Sequence, residues 1–158
     1  MTKKVDMARL DFNALLTEIS TESPCGDDYS YKPAFGEMER AAKGKAAQQI
    51  GNAITSAEES DWSQVQVKAV DIFQYSKDLR VAVYLTQALL HNQGLHKQGF
   101  RGLSDGLALI KLMLNQYWES VHPQLDFDEN NDPTERVNAL VSLCDGRNIE
   151  FFSAVRPV

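Results

Sequence analysis

The run Asp78-Leu79-Arg80-Val81-Ala82-Val83-Tyr84-Leu85-Thr86-Gln87-Ala88-Leu89-Leu90 decides the fold. Val81, Ala82, Val83, Tyr84, Leu85, Ala88, Leu89 and Leu90 leave little room for a polar face. A helix that is apolar nearly all round is one enclosed by others at the centre of a bundle. Asp78 carries the short acceptor side chain that closes a helix N-terminus, and Gly94 is a natural C-cap. The spacing predicts a central buried helix with amphipathic neighbours.

On its N-terminal side, Asp61 opens a helix. Its carboxylate can accept the Gln64 amide, and the Gln64 side chain can return to the Asp61 amide. Trp62, Val65, Ala69, Ile72 and Phe73 share one face of that helix. On the C-terminal side, Gly99 to Trp118 sets Phe100, Leu103, Leu107, Ile110, Leu114 and Tyr117 along a stripe. Gly102 and Gly106 lie within it, and since a helical glycine costs roughly 1 kcal/mol against alanine, the pair points to a close helix crossing. Asp132-Pro133-Thr134-Glu135 supplies an acidic cap, proline at the first helical position and a glutamate behind it. Val137, Leu140, Val141 and Cys144 form the expected core face, Gly146 ends the helix, and Ile149 to Val155 makes one more short one.

At the other end, Ala8 to Ser20 carries Leu10, Ala14, Leu15 and Ile19 near helical spacing, before the breakers Pro24 and Gly26. Pro33 begins a helix through Ala42 with Phe35, Met38 and Ala42 inward and Gly44 as its stop. Lys43 to Ser60 is small, polar and punctuated by Gly44 and Gly51, and reads as a long loop. No convincing pair of alternating runs is joined by a two-residue turn. The expected fold class is therefore all-α: a single-domain compact bundle of about six or seven helices with a long polar loop near residues 43–60.

The chain has 158 residues, 43% of them hydrophobic and 24% charged. A domain of this size removes roughly 70% of its unfolded surface from water, so it needs neither disulfides nor a structural metal to stand. Its net charge of -6 is the wrong sign for neutralising phosphates and argues against nucleic acid or an anionic membrane as partner. Lys3 and Lys4 are followed by Asp6 and Arg9, not by the apolar run of a signal peptide. Leu107 to Leu114 is broken by Lys111 and is far too short to span a bilayer. The expectation is a cytoplasmic protein.

Candidate chemistry is sparse. Cys25 and Cys144 belong to no CxxC pair, and a nucleophilic Cys25 would need a lowered pKa and a base. Asp126, Asp128 and Asn130 match the first three ligand positions of an EF-hand loop, but Asn131 stands where glycine is needed and Val137 where the closing glutamate belongs. His91 and His96 are not spaced to share a helical face. His122, before Pro123, suits exposed carbonyls at a helix end. Lys43-Gly44-Lys45 lacks both the first glycine and the Ser or Thr of a phosphate loop, with Glu39 and Ala46 in their places. Glu58-Glu59 and Asp27-Asp28 are adjacent pairs in expected loops, where solvated charge is the default reading and converging acid-base pairs are not. No catalytic, cofactor-binding or metal-binding residue is expected. Trp62, Trp118, Tyr117 and Phe127 are large apolar anchors near segment ends, the residue types enriched in partner contacts.

Several segments carry a resemblance: Ser23-Pro24-Cys25-Gly26-Asp27-Asp28; Ala57-Glu58-Glu59 with Asp61-Trp62; Asp78-Leu79-Arg80-Val81-Ala82; and Gln116-Tyr117-Trp118-Glu119-Ser120-Val121-His122-Pro123. A further segment is Asp132-Pro133 with Arg136-Val137-Asn138-Ala139-Leu140. In this order they resemble the ImpA-type N-terminal domain of the TssA family of bacterial type VI secretion systems, over about Leu15 to Pro157. Ser60 stands where the family often has proline. The resemblance implies that residues 1–158 form the N-terminal part of a longer protein, and that homo-oligomers form through C-terminal domains that this chain lacks. It implies a non-enzymatic scaffold that contacts baseplate, sheath, inner-tube and membrane-complex proteins during assembly, with no cofactor. The expected partner-binding residues are Asp27, Asp28, Trp62, Trp118 and Phe127. Asp61 and Asp132 are expected as caps, Pro24 and Gly26 as turn formers, and Arg136 as partner of a nearby carboxylate. The alternative class is an autonomous helical partner-binding or chaperone-like module outside secretion.

Overall fold

A computed structural model describes residues 10–92 and 99–144. Among these, six α-helices run in the order α1 (Phe12–Leu16), α2 (Pro33–Lys43), α3 (Trp62–Ile72), α4 (Leu79–Asn92), α5 (Gly99–Tyr117) and α6 (Thr134–Val141), and a 3₁₀ turn over Ser142–Cys144 follows α6. Two strands, β1 (Gln48–Ile50) and β2 (Ala53–Thr55), lie between α2 and α3.

The nearly all-apolar run forms the centre as its composition dictates. Leu79, Val81, Ala82, Val83, Leu85, Thr86, Ala88, Leu89 and Leu90 of α4 are all buried. α4 packs chiefly against α3 and α5, α2 lies on α3, and α6 closes against α4. Asp78 Oδ1 accepts the Arg80 amide at 2.8 Å, which satisfies one orphan donor at the start of α4. Asp61 caps α3 through the Gln64 amide at 3.0 Å. The return bond of a capping box is not made, because the Asp61 amide donates to the Ala41 carbonyl and so ties α3 to the end of α2.

The all-α expectation is overturned by β1 and β2, which form a two-stranded antiparallel sheet with Gln48 opposite Thr55, Gln49 opposite Ile54 and Ile50 opposite Ala53. The chain is a helical body carrying a small β-hairpin, and residues 43–60 are not simply a loop. The turn is Gly51-Asn52, with Gly51 at φ 62°, a glycine-first pair suited to a two-residue hairpin. All six strand residues are exposed, so neither strand shows the alternation that marks a half-buried one.

Helix phases also differ from the expected stripes. On α5 the buried residues include Gly102, Gly106, Leu109, Ile110, Met113 and Tyr117, whereas Leu107 is exposed. The cause is the close crossing at Gly106: a Cβ there would sit 2.4 Å from Thr86 Oγ1, so α5 turns Gly106 toward α4. On α6 the buried residues are Arg136 and Ala139, while Val137 and Val141 face outward, and Cys144, in the 3₁₀ turn that follows, is exposed as well. Pro133 precedes α6 instead of starting it and has no capping side chain. Asp132 Oδ1 accepts from the Thr134 amide at 3.2 Å and the Thr134 hydroxyl at 2.8 Å. The first helix is shorter than Ala8 to Ser20. The expected Gly94 cap, Gly146 stop and Ile149 to Val155 helix lie outside the described residues.

Candidate functional site

Three distant segments meet at the N-terminal end of α4 and are stitched together through their backbones. Lys77 donates to Cys25 O at 2.7 Å, His122 to Lys77 O at 3.0 Å, and Leu79 to His122 O at 2.8 Å. Gly26 pairs with Ser76, where a Cβ would lie 2.1 Å from the Tyr75 carbonyl oxygen, and Gly26 takes φ +67°. Only glycine meets both demands at once. The Ser76 hydroxyl donates to Asp27 O at 2.6 Å.

Buried polar side chains complete this hub. His122 Nε2 lies 2.9 Å from Gly26 O, and since a carbonyl only accepts, that nitrogen carries the proton. Lys77 is 1% exposed and its Nζ donates to Phe73 O at 2.6 Å. Burial holds its amine below the ordinary lysine range. Arg136, also 1% exposed, donates to the carbonyls of Pro123 at 2.7 Å, Trp118 at 2.6 Å and Val121 at 2.8 Å. Carbonyls of the segment after α5, not a carboxylate, are therefore its partners, which corrects the expectation from sequence. The His122–Pro123 peptide in that segment is cis. Cys25 is 1% exposed, with its Sγ 3.2 Å from Ser120 Oγ. Burial pushes the thiol up against the opposing pull of Ser120, Lys77 and Arg136, the reverse of what a nucleophile requires.

Over the hub opens a polar cleft of about 500 Å³ lined by Asp27, Asp28, Tyr31, Arg80, Gln124 and Glu135 among others. Arg80 Nη2 lies 2.6 Å from Asp78 Oδ2 and 3.0 Å from Asp28 Oδ1. Burial raises the Asp28 carboxyl, but the amide and hydroxyl of Ser30 and the Arg80 charge outweigh it and hold the group below its ordinary value.

Of the residues expected to bind partners, Asp27 and Asp28 come together in this cleft. Trp118 is 44% exposed and reaches the hub through Arg136, whose guanidinium carbon sits 4.8 Å from its ring centre. Phe127 is 62% exposed on a loop closed by paired bonds between Asp126 and Asp132, in which Asp126 Oδ1 accepts the amides of Asp128 and Glu129. Trp62 is elsewhere, at the start of α3, stacked on His91 with ring centres 4.4 Å apart. The expected anchors thus do not form one patch. Tyr31, Arg80 and Glu135 line the cleft without being among the binding residues expected from the sequence; for Arg80, its place two residues after the cap Asp78 is the available signal. Tyr117, also named as an anchor, is buried with its hydroxyl on Leu16 O.

The sequence profile of the family described as "ImpA, N-terminal, type VI secretion system" matches residues 16–145. The chain belongs to this family. The ImpA N-terminal match encloses every segment of the hub. Over 134 residues this ImpA-type domain is 47% identical to a Pseudomonas aeruginosa protein described as type VI secretion system component TssA1, covering 85% of the chain and 38% of that relative. The chain therefore spans well under half the length of that curated relative. A solved structure from Burkholderia cenocepacia is the N-terminal domain, including the conserved ImpA_N region, of a type VI secretion TssA component. It is similar at TM-score 0.68 and 27% identity over 90% of this chain and 50% of that one.

Proposed function

We propose that this ImpA-type domain is a non-enzymatic scaffold module, the N-terminal part of a longer TssA-like protein. It works in the bacterial cytoplasm and contacts baseplate, sheath, inner-tube and membrane-complex proteins while the secretion apparatus is assembled. One observation carries this reading: the side chains best suited to chemistry in the family segments are spent inside the chain. Cys25 is buried against the Ser120 hydroxyl, and Lys77, His122 and Arg136 are buried against backbone carbonyls, which is what a rigid frame needs. What faces solvent is a charged cleft and the anchored ring of Trp118, a residue type enriched at the centres of partner contacts. No helix among the described residues is long and apolar enough to cross a membrane.

The test is crosslinking in the native bacterium with the full-length protein tagged at its N-terminus, with crosslinks mapped by mass spectrometry. Crosslinks from residues 1–158 to baseplate, sheath or membrane-complex proteins are expected, and Trp118→Ala should deplete those near α5. An abundant protein that crosslinks to none of them would instead favour a helical binding module outside secretion.

A further inference from the structure

The polar cleft over the hub combines one satisfied cation with several unsatisfied acceptors. Arg80 is held by Asp78 and Asp28. Asp27, Tyr31, Gln124 and Glu135 line the same cleft, and among the described residues their side chains make no hydrogen bond or ion pair. His122, only 5% exposed, lines it too. Its Nε2 donates to Gly26 O at 2.9 Å, so Nδ1 of the neutral ring is an acceptor. Nδ1 has no partner in the chain. Every fully enclosed polar side-chain atom among the described residues does have one, so Nδ1 keeps an opening to the outside, and the cleft is the space its ring borders.

Acceptors without donors define the occupant. Two unpaired carboxylates and a buried imidazole nitrogen call for a cation with several N–H donors. No group of three or more His, Cys, Asp or Glu among the described residues is placed to hold a metal ion, which leaves an organic cation. A guanidinium carries five donors in a planar fork and stacks on aromatic faces, and Tyr31, 90% exposed, offers such a ring beside the carboxylates. Asp27, Tyr31, Gln124 and Glu135 are all exposed, so the cleft does not enclose a free small molecule as a ligand pocket does. A side chain brought in on another protein's surface closes the rim as it docks. We propose that the cleft receives an arginine of a partner protein, with Asp27, Glu135 and His122 Nδ1 accepting from its guanidinium and Tyr31 covering its face. Gln124 is left to pair with the main chain on either side of that arginine. The inference rests on the scaffold reading only in drawing the occupant from a protein. The net charge of -6 draws basic surfaces toward the chain, and the unpaired acceptors fix where they dock.

The test is an NMR titration of the 158-residue chain with a capped heptapeptide of glycine and serine around one arginine. The comparison peptide carries citrulline, which keeps the shape and loses the charge. The arginine peptide should bind about tenfold more tightly or better, the scale of two exposed charge pairs. On binding, the nitrogen-15 signal of His122 Nδ1 should move, because that atom gains a donor. Asp27→Asn with Glu135→Gln should lose about the same tenfold. Asp128→Asn with Glu129→Gln removes equal charge from exposed positions that do not line the cleft, and should change binding little because salt screens charges that make no contact. The amide spectrum checks that each variant is folded. N-acetyl-arginine amide should bind more weakly than the peptide, which adds main-chain contacts. Equal binding of the arginine and citrulline peptides, a stationary His122 Nδ1 signal, equal losses in the two double variants, or capped arginine as tight as the peptide would each overturn the proposal. None of these outcomes bears on the crosslinks expected above, so the scaffold reading is tested separately.

Discussion

Arg136 shows how much of this structure depends on single polar side chains. Its guanidinium replaces water for three carbonyls at once, holding the chain between α5 and α6 in a path that no regular element supports. Arg136→Ala leaves those carbonyls buried and unpaired, each costing about 1–3 kcal/mol. The expected loss is at least about 3 kcal/mol by urea unfolding, while Val137→Ala beside it, half exposed, should change little. Lys77 gives a second test, read in pH. Burial depresses its folded-state pKa, so the unfolded chain holds the proton to higher pH and stability rises as that proton is lost. Measured against Lys77→Met, the wild type should gain stability as pH rises toward the ordinary lysine value near 10.4. A pH-independent difference between the two would show that Lys77 is not held in an uncharged setting.

Among the elements, the crossing of α4 and α5 is the one set by atomic fit. Gly106→Ala places a methyl group against Thr86, and overpacking of this kind typically costs 1–3 kcal/mol. Thr86→Ala should remove most of that added cost in a double-mutant cycle by thermal melts; additivity would mean the two residues do not meet. The glycine spacing made this crossing legible in the sequence, as composition did for the buried α4 and residue chemistry for the caps at Asp61 and Asp78. The stripes of α5 and α6 were not, because periodicity fixes which residues share a face but not which face turns inward. On α5 Gly106 decided that, and on α6 Arg136, a charged residue that pattern reading assigns to solvent. The hairpin escaped notice because its pattern holds no burial signal, leaving Gly51-Asn52 as the sole cue. The cleft was half legible: Asp27-Asp28 stood out as a pair, but their meeting with Arg80 and Glu135 depends on long-range pairing that no local spacing encodes.

At the scale of the whole molecule, the parts that hold the chain together lie outside the hairpin strands and their turn. α2 packs on α3, Asp61 is tied to Ala41, and Gly26, Ser76 and His122 are joined at the hub, so both sides of Gly51 are anchored independently of the peptide bonds of the turn. The turn stands clear of the helical body: a Cβ on Gly51 would meet no atom within 4 Å. Exposed tips of this kind tolerate nicking and insertion. A protease site placed between Gly51 and Asn52 should therefore give two fragments that co-elute with undiminished helical signal, whereas separation of the fragments would mean the hairpin bears structural load. The same arrangement makes the domain divisible: residues up to Gly51 and residues from Asn52 onward, produced as separate chains, would reassemble into one body, and a reporter divided between them would light up only where the two halves are brought together in the cell.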